Sequence, residues 1–132
     1  MVFIDSNIPM YVIGAEHPHK RNAQVLLEGL IQEKQRLVTD AEVYQEILHR
    51  YTAIGRKEAI KPAFELLDEI VDECYPITKS AVIKAESILL ESEALSARDA
   101  VHLATMKQHG ITEIASFDTG FDGIKGIRRL GA

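Results

Sequence analysis

Two aspartates from opposite ends of the chain each follow a short apolar run. Asp5 directly follows the run at residues 2–4, and Asp118 follows the run at 114–117. Runs of this kind are typical of buried β-strands, and ligands bind at the edge that the carboxyl ends of parallel strands form in an α/β sheet. Because both acids lie at such strand ends, we expect them to meet at one point. The pair therefore predicts a metal site, and a metal site suggests an enzyme.

Asp5 and Asp118 each have a structural explanation that competes with the functional one. Asp5 is followed by two turn-forming residues, Ser6 and Asn7, so its carboxylate is a candidate for an Asx-turn or a helix cap. However, an acid directly after three buried residues is costly unless a partner compensates it, which favours function. Asp118 lies in a loop rich in turn residues, but its position past a strand matches that of Asp5. Asp122, farther along the loop, is expected to be solvated or peripheral to a metal.

Asp99 fits two interpretations that are compatible with each other. With Ser96 it forms the pattern of a capping box at the start of a helix. It also shares a helical face with Leu103 and Met106, and that face is expected to be buried. An aspartate in this apolar stripe, one turn from the positive end of the helix, also fits a functional role. Spacing alone leaves both interpretations open.

Two glutamates are interpreted from spacing as ordinary helix residues. Glu46 lies one turn past Val43 and off the centre of the apolar stripe, and an isolated glutamate of this kind usually faces solvent. Glu42 completes the capping-box pattern that begins at Thr39. Spacing would therefore assign neither glutamate to a site.

The other reactive residues form no recognised motif. The five histidines, His17, His19, His49, His102 and His109, lack the spacing of a metal motif such as His-Glu-x-x-His. We expect His17 and His19 on the surface, with a weak case for substrate contact. The single cysteine leaves no pair for zinc, and neither Gly-x-Ser-x-Gly nor a phosphate-binding glycine-rich loop is present.

The elements that must position these residues alternate along the chain. Apolar runs and turn signals predict strands at residues 2–4, 37–39, 75–77, 113–117 and 128–130. Six helices are predicted between them. The first follows an N-cap at Asn7, the second spans 17–34, and the third follows the capping box at 39–42. The others span 56–71, with Pro62 as a kink or restart, 79–91, and Ser96 to Gly110. The order β-α-α-β-α-α-β-α-α-β-β predicts an α/β fold, a three-layer α/β/α sandwich with a parallel sheet of short strands.

Length and composition are typical of one globular domain, which we expect to span residues 1–132. No apolar stretch approaches the roughly 20 residues that cross a membrane. The low cysteine content and the lack of a signal-like N-terminus predict a cytoplasmic location. The net charge of −5 argues against nonspecific nucleic-acid binding through a basic surface. It still allows a nucleic acid held by a metal and a local basic rim.

Four short motifs resemble those of a known family. They are FIDSN at residues 3–7, AEVYQEI at 41–47, SARDAVHLA at 96–104 and SFDTGF at 116–121. In this order, over nearly the full length, they resemble the PIN-domain nucleases and most closely the VapC-type toxins of prokaryotic toxin–antitoxin pairs. The resemblance implies RNA cleavage with Mg²⁺ or Mn²⁺, a homodimer, and inhibition by an antitoxin protein.

The resemblance also implies a set of site residues. The acids of the family correspond to four positions of this chain, Asp5, Glu46, Asp99 and Asp118. This reverses the interpretation of Glu46, which is expected to bind the metal, directly or through water, or to orient a water, while the three aspartates bind the metal directly. Ser116 matches a position often held by threonine or serine, and with Asn7 it is expected to support the acids. Phe117 stands where the family commonly has a polar residue, a departure that leaves the acid in place.

The implied site agrees with the chemistry of hard cations. Converging carboxylates suit Mg²⁺, and the lack of a Cys/His cluster disfavours zinc. Acids packed together repel, so at least one should have a raised pKa until a cation binds. The candidates for contact with RNA phosphates are Arg98, Lys20, Arg21 and Lys107, each also explicable as a surface charge.

Three other functions fit parts of the pattern. A receiver-type signalling domain needs a phosphate-accepting aspartate at the end of a central strand, and the third predicted strand is followed by Thr78 instead. A dehalogenase-type phosphatase needs Asp-x-Asp after its first strand, where this chain has Asp5, Ser6 and Asn7. A catalytically idle PIN scaffold that only binds a partner is the third, and the complete acidic set argues against it.

Overall fold

A five-stranded parallel β-sheet forms the centre of the protein. The computed structural model describes residues 1–131, and its strands are β1 (Val2–Ile4), β2 (Leu37–Asp40), β3 (Glu73–Tyr75), β4 (Glu113–Ala115) and β5 (Arg128–Leu130). They lie in the order β3-β2-β1-β4-β5, and each adjacent pair is parallel. The first strand of the chain is therefore the central one, so the residue after it enters the middle of the carboxyl edge.

Six α-helices connect these strands within the described part of the chain. They are α1 (Asn7–Ile13), α2 (Pro18–Gln32), α3 (Ala41–Ala53), α4 (Ile60–Ile70), α5 (Lys79–Glu91) and α6 (Ala97–Gln108). The helix predicted at 56–71 is split into a 3₁₀ turn at Lys57–Ala59 and α4, whose first turn contains Pro62. Over residues 1–131, none of the helices combines the length and the apolar character needed to cross a membrane. The predicted order of elements is confirmed.

Helices cover both faces of the sheet. Successive side chains of a strand point to opposite faces, yet Val2, Phe3 and Ile4 of β1 are each 0% exposed. All of β2 is buried as well. Helix α6, which packs on α5 and α3, is buried over most of its circumference and carries Asp99 and His102 inward. The predicted α/β/α sandwich is confirmed, and one of its helices brings polar groups into the interior.

The link between β4 and β5 contains no α-helix. Residues 116–127 form a loop whose only regular piece is the 3₁₀ turn Thr119–Phe121. Because the loop leaves the carboxyl end of β4 and β4 is paired with β1, it holds Asp118 at the same edge of the sheet as Asp5. This loop therefore brings Asp118 close to Asp5, as the strand ends led us to expect.

The limits of three strands differ from the prediction. Strand β2 is Leu37–Asp40, one residue longer than the predicted 37–39. Strand β3 is Glu73–Tyr75 rather than 75–77, because Pro76 has no N–H to donate to a ladder. The edge position that the proline predicted is confirmed, since β3 lies at one end of the sheet. Strand β4 ends at Ala115 rather than at 117, because the Ser116 hydroxyl accepts the N–H of Asp118 and turns the chain.

Two predicted N-caps are one residue off. Ser6, rather than Asn7, precedes α1. Asp40, rather than Thr39, caps α3 by accepting the N–H of Val43 at 3.0 Å. In both cases the displaced side chain has another partner, because the Asn7 amide bonds residues of the site described next and the Thr39 hydroxyl donates to the neighbouring strand β1.

Candidate active site

Six polar side chains converge at the carboxyl edge of the sheet. They belong to Asp5, Asp40, Glu46, Asp99, His102 and Asp118. Asp5 follows β1, Asp40 ends β2, and Asp118 lies in the loop after β4, while α3 and α6 supply the other three. All four acids that the resemblance assigned are brought together, and an additional aspartate and a histidine join them.

Asp5 lies at the centre of this group and is 3% exposed. Its Oδ1 accepts the backbone N–H of Ser6 at 2.8 Å, and its Oδ2 accepts the hydroxyl of Ser116 at 2.6 Å. Burial raises the pKa of Asp5, and the charge of Glu46 raises it further, against the lowering effects of His102 and Ser116. Asp5 is therefore a buried acid in a fixed orientation.

The Ser116 hydroxyl joins three neighbours. Besides donating to Asp5, it accepts Nδ2 of Asn7 at 3.1 Å and the N–H of Asp118 at 3.0 Å. A hydroxyl can donate once and accept twice, so the capacity of Ser116 is fully used. Asn7 completes the connection, since its Oδ1 accepts the N–H of Phe117 at 3.3 Å. These bonds fix β1, α1 and the loop after β4 relative to one another.

His102 is 0% exposed and lies among carboxylates. Its Nδ1 contacts the two oxygens of Asp40 at 2.8 and 3.1 Å, and its Nε2 contacts Oε1 of Glu46 and lies 4.0 Å from Oδ1 of Asp5. Burial lowers the pKa of His102, but the hydrogen bonds to Asp40 and Glu46 outweigh it and raise the pKa well above its usual range. The imidazole is therefore a cation here and offsets part of the negative charge.

Asp99 and Asp118 form the other half of the site. The N–H of Asp99 donates to Oγ of Ser96 at 3.1 Å, so the predicted cap is present. The Asp99 carboxyl meanwhile contacts Asp118, and burial together with the charges of Asp5 and Asp118 raises the pKa of Asp99 to about 7. Oδ1 of Asp118 accepts the N–H of Gly120 at 2.8 Å, and a Cβ on Gly120 would approach that oxygen to 3.0 Å.

Asp122 and Glu42 each pair with an arginine. Nε and Nη2 of Arg129 bond the two oxygens of Asp122 at 2.8 and 3.2 Å, which lowers the pKa of Asp122. Oε1 of Glu42 lies 3.6 Å from Nε of Arg98. Asp122 is thus bound by a cation of the protein itself, whereas the acids around Asp5 share one buried imidazole.

A groove of about 700 Å³ opens beside the acids. Its lining includes Ser6, Asn7 and Glu46. Three arginines also line it, Arg50, Arg56 and Arg98. Glu46 is 17% exposed, so its carboxylate connects the buried cluster with the groove.

The predicted RNA-contact residues divide between the groove and other parts of the surface. Arg98 lines the groove, while Lys20, Arg21 and Lys107 do not. Nζ of Lys20 is bonded to the carbonyl oxygen of Gly14 at 2.6 Å, and Arg21 and Lys107 are exposed elsewhere. The sequence did not single out the two other arginines of the groove.

His102 and Asp40 are the site residues that sequence reasoning missed. His102 lies three residues after Asp99, on the same side of α6, so the face that was expected to be buried contained a signal. Asp40 ends a strand as Asp5 follows one, but the capping-box pattern already explained it. Their contact joins residues 62 positions apart, which local spacing does not reveal.

The site has the donors for a divalent cation. Carboxylate oxygens of Asp5 and Glu46 lie within 4.8 Å of each other and of a ring nitrogen of His102. The two carboxylates can bind a cation, whereas His102, as an imidazolium bonded at both nitrogens, has no free lone pair for one. Asp99 and Asp118 add two further carboxylates close to Asp5. A set dominated by carboxylate oxygens suits hard cations such as Mg²⁺ and Mn²⁺.

Comparison with known proteins first identifies the class. The chain matches the PIN domain over residues 2–127, a range that contains every acid of the site. VapC ribonuclease Mb1869c of Mycobacterium bovis and ribonuclease VapC13 of Mycobacterium tuberculosis are each 56% identical over 130 residues, covering 98% of this chain and 99% of theirs. Ribonuclease VapC23 of M. tuberculosis is 36% identical over 118 residues, 89% of this chain and 93% of its own. The chain therefore belongs to the PIN-domain family and, within it, to the VapC ribonucleases.

Solved structures share the fold at lower identity. M. tuberculosis VapC20, described as a toxin that cleaves the sarcin–ricin loop, has a TM-score of 0.81 at 18% identity, with 100% of both chains covered. A toxin–antitoxin complex from Klebsiella pneumoniae has a TM-score of 0.69 at 17% identity, over 97% of this chain and 96% of that one. The sandwich is thus the same, while the individual side chains are mostly different.

Proposed function

We propose that this protein is a metal-dependent endoribonuclease, the toxin of a type II toxin–antitoxin pair. The proposal is supported by the 56% identity with proteins named VapC ribonucleases and by the acids around Asp5. Its partners are an RNA substrate and a cognate antitoxin protein, and it acts in the cytoplasm. Membership in the PIN family leaves no role for the receiver-type and dehalogenase-type alternatives.

We infer that Mg²⁺ or Mn²⁺ is the cofactor, held by Asp5, Asp99 and Asp118, with Glu46 as a ligand directly or through water. The burial of Asp5 and the contact between Asp99 and Asp118 support this, because burial and then the charges of Asp5 and Asp118 raise the pKa of Asp99, and a bound cation would offset both effects. Asp122 is left out of this set, since Arg129 already bonds both of its oxygens. A divalent cation supplies two effects when bound, a lowered pKa of a coordinated water and stabilisation of charge on the phosphate.

The residues around the acids orient and assist them. The Ser116 hydroxyl and the Asn7 amide hold Asp5 and the loop of Asp118 in position. Glu46 faces the groove, where it can orient a water molecule or accept its proton. The arginines of the groove then neutralise backbone phosphates locally, although the whole chain carries a net charge of −5.

One observation carries the proposal: four acids from four separate elements meet beside a groove that is lined with arginines. The test is cleavage of structured RNA with Mg²⁺, Mn²⁺ or EDTA. We expect cleavage by the wild type only with metal. Asp5→Ala and Asp118→Ala should each reduce the cleavage rate by at least roughly 100-fold. Even residues that only orient a metal ligand typically contribute about 10- to 100-fold to affinity or activity.

Asp68→Asn is the matched control, since Asp68 is an exposed acid that bonds Tyr44 on α3. It should cleave like the wild type. Cleavage in EDTA, or undiminished cleavage by both alanine variants, contradicts the proposal. A wild type that binds Mn²⁺ and RNA without cleaving it identifies an idle scaffold.

We also propose that residues 1–132 form one PIN-like domain and that the protein is a homodimer. Helix α6 packs against α5 and α3, and the sheet pairs the first strand with the second and the fourth, which supports one cooperative unit. Sedimentation equilibrium should give twice the chain mass of 14.7 kDa. A monomer at micromolar concentration would contradict the dimer and leave the domain assignment untouched.

A further inference from the structure

Four aromatic rings cluster beside the acids. Tyr11 of α1 lies 4.7 Å from His17, 5.1 Å from His19 and 5.6 Å from Phe117, measured between ring centroids. His19 stacks on Phe117 at 4.6 Å with an interplanar angle of 16°. We call these four residues the aromatic cluster. None of them belongs to the acid site, and the cleavage chemistry proposed above does not use them.

The aromatic cluster adjoins the acids on one side and the groove on the other. Tyr11 and His17 line the groove together with Asn7 and Glu46. Phe117 directly precedes Asp118, and its N–H is held by Oδ1 of Asn7. A ligand that fills the groove therefore lies against both Glu46 and the rings of Tyr11 and His17.

His19 and Phe117 support the rings of Tyr11 and His17 from beneath the surface. His19 and Phe117 are half-buried, and Nδ1 of His19 is buried without a hydrogen-bond partner among the described residues. The His19 ring is therefore held by stacking rather than by a bond at that nitrogen. His17 is exposed and Tyr11 is half-buried on the groove. The exposed part of the cluster thus presents aromatic surface to the groove.

We propose that Tyr11 and His17 stack on an unpaired base of the RNA, next to the phosphodiester that is cleaved. The proposal rests on the proposed ribonuclease function and adds a base-binding contact beside the acids. Aromatic side chains bind single-stranded nucleic acid by stacking on base faces, without sequence preference. The arginines of the groove add positive charge for the RNA backbone. Two of them also pair with glutamates, Arg56 with Glu58 and Arg98 with Glu42.

The test compares two short RNAs of the same length and charge, one with planar bases and one with non-planar bases. One is a labelled hexamer of uridine, and the other is a hexamer of dihydrouridine, whose puckered ring cannot stack. Binding is measured by fluorescence anisotropy in EDTA, so the RNA is not cleaved and no metal is needed. The wild type should bind the uridine hexamer roughly 10-fold more tightly, within the range for one stacked base.

The variants separate stacking from folding. His17 accepts the N–H of His19 at 3.0 Å as the N-cap of α2, and His17→Asn keeps a good cap while removing the ring. His17→Asn and Tyr11→Leu should bring the affinity ratio of the two RNAs close to one, and Tyr11→Phe should retain it. His109→Asn is the control, because His109 also stacks on a tyrosine, Tyr75, but lies outside the groove.

The proposal is overturned by equal affinity of the wild type for the two hexamers, by a ratio that Tyr11→Leu leaves unchanged, or by no measurable binding of the uridine hexamer. The failure of the proposed function has a different signature. A protein that prefers uridine in EDTA but does not cleave RNA with Mn²⁺ contradicts the nuclease assignment alone. Cleavage without any base preference contradicts the stacking alone.

Discussion

The charges around Asp5 are unevenly balanced at the scale of single residues. His102 contacts Asp40 and Glu46 and lies 4.0 Å from Asp5, so one imidazole serves three carboxylates. Asp99 and Asp118 contact each other, and His102 lowers the pKa of Asp99 by less than burial and the neighbouring carboxylates raise it. A cation bound near Asp99 and Asp118 would therefore relieve most of the repulsion between the acids.

The first prediction concerns Asp99 in the metal-free protein. Its pKa is about 7 in the folded state and 3.8 in the reference state, so between those values the folded protein holds a proton that the unfolded chain releases. The free energy of unfolding should therefore fall as the pH rises from 4 to 7. Asp99→Asn should reduce this slope and be more stable than the wild type at pH 7.5 in EDTA, as urea denaturation measures.

The matched control for Asp99 is Glu65→Gln, an exposed acid on α4. It should leave the slope unchanged. Asp99→Asn keeps the backbone N–H that bonds Ser96, so helix capping is preserved. A variant that is less stable than the wild type at both pH 5 and pH 7.5 would show that the carboxylate itself stabilises the start of α6.

The second prediction concerns His102. Replacing it by leucine leaves Asp5, Asp40 and Glu46 without their shared cation, and removing one partner of a buried pair typically costs roughly 3–5 kcal/mol. His102→Leu should show a loss of this size in EDTA at pH 8, and a smaller loss at pH 5, where carboxylates become protonated. His109→Leu, at an exposed position, is the control. If both variants lost the same free energy of unfolding, His102 would not be balancing the charge of these carboxylates.

The residues of the site were predictable to different degrees. Asp5 and Asp118 follow apolar runs, so strand ends alone indicated them. Glu46 looks like any exposed helical acid, and only the resemblance to PIN nucleases assigned it. His102 was missed because its partners, Asp40 and Glu46, come from a distant part of the sequence, and contacts over such distances leave no local pattern.

Helix starts set the geometry at the scale of elements. Helices α3 and α6 both begin at the carboxyl edge of the sheet, and each is capped there by a polar side chain, Asp40 and Ser96 respectively. The cap of α3 also contacts His102 on α6. Capping and assembly of the site are therefore coupled through the same residues.

The third prediction concerns the cap of α6. Ser96→Ala removes the acceptor for the N–H of Asp99 and should lower the free energy of unfolding by about 1 kcal/mol. It should also reduce RNA cleavage, because Asp99 loses the bond that fixes its backbone. Ser96→Thr keeps the acceptor and serves as the control in urea denaturation and cleavage assays. If Ser96→Ala and Ser96→Thr gave the same stability and the same cleavage rate, the cap of α6 would have no role in positioning Asp99.

The elements followed from the sequence more closely than the residues did. Apolar periodicity predicted α5 at 79–91, where it is found, and the helix predicted at 17–34 is Pro18–Gln32. The limits of the short strands were less accurate, as in β3, where Pro76 correctly indicated an edge strand but lies just past its end. Strands of three residues carry too little periodicity to fix their limits, which depend on pairing with a neighbour.

Charge is locally segregated at the scale of the whole molecule. The chain carries a net charge of −5, yet Arg50, Arg56 and Arg98 line one groove beside the acids. A negative net charge repels RNA at long range, so binding should depend on these few local contacts. The order of the sheet, with β1 in the centre, puts Asp5 beside this groove.

The fourth prediction separates the groove from the rest of the surface. Arg98→Gln should weaken RNA binding and reduce the dependence of log affinity on log salt concentration by about 0.7, the value for one phosphate contact on a single strand. Lys107→Gln, which removes a charge outside the groove, should change neither. Binding titrations in EDTA at several salt concentrations give both slopes. Equal effects of the two variants would mean that RNA does not follow the groove.

The most direct measurement of the central claim is a calorimetric titration of the purified protein with Mn²⁺. If the acids around Asp5 form one divalent-cation site, the wild type binds Mn²⁺ and Asp99→Asn binds it at least roughly 10-fold more weakly, the lower limit for residues that orient a ligand. Asp122→Asn should bind Mn²⁺ like the wild type, because Arg129 already bonds that carboxylate. A wild type that does not bind Mn²⁺, or an Asp99→Asn variant of unchanged affinity, would contradict the assignment of the site.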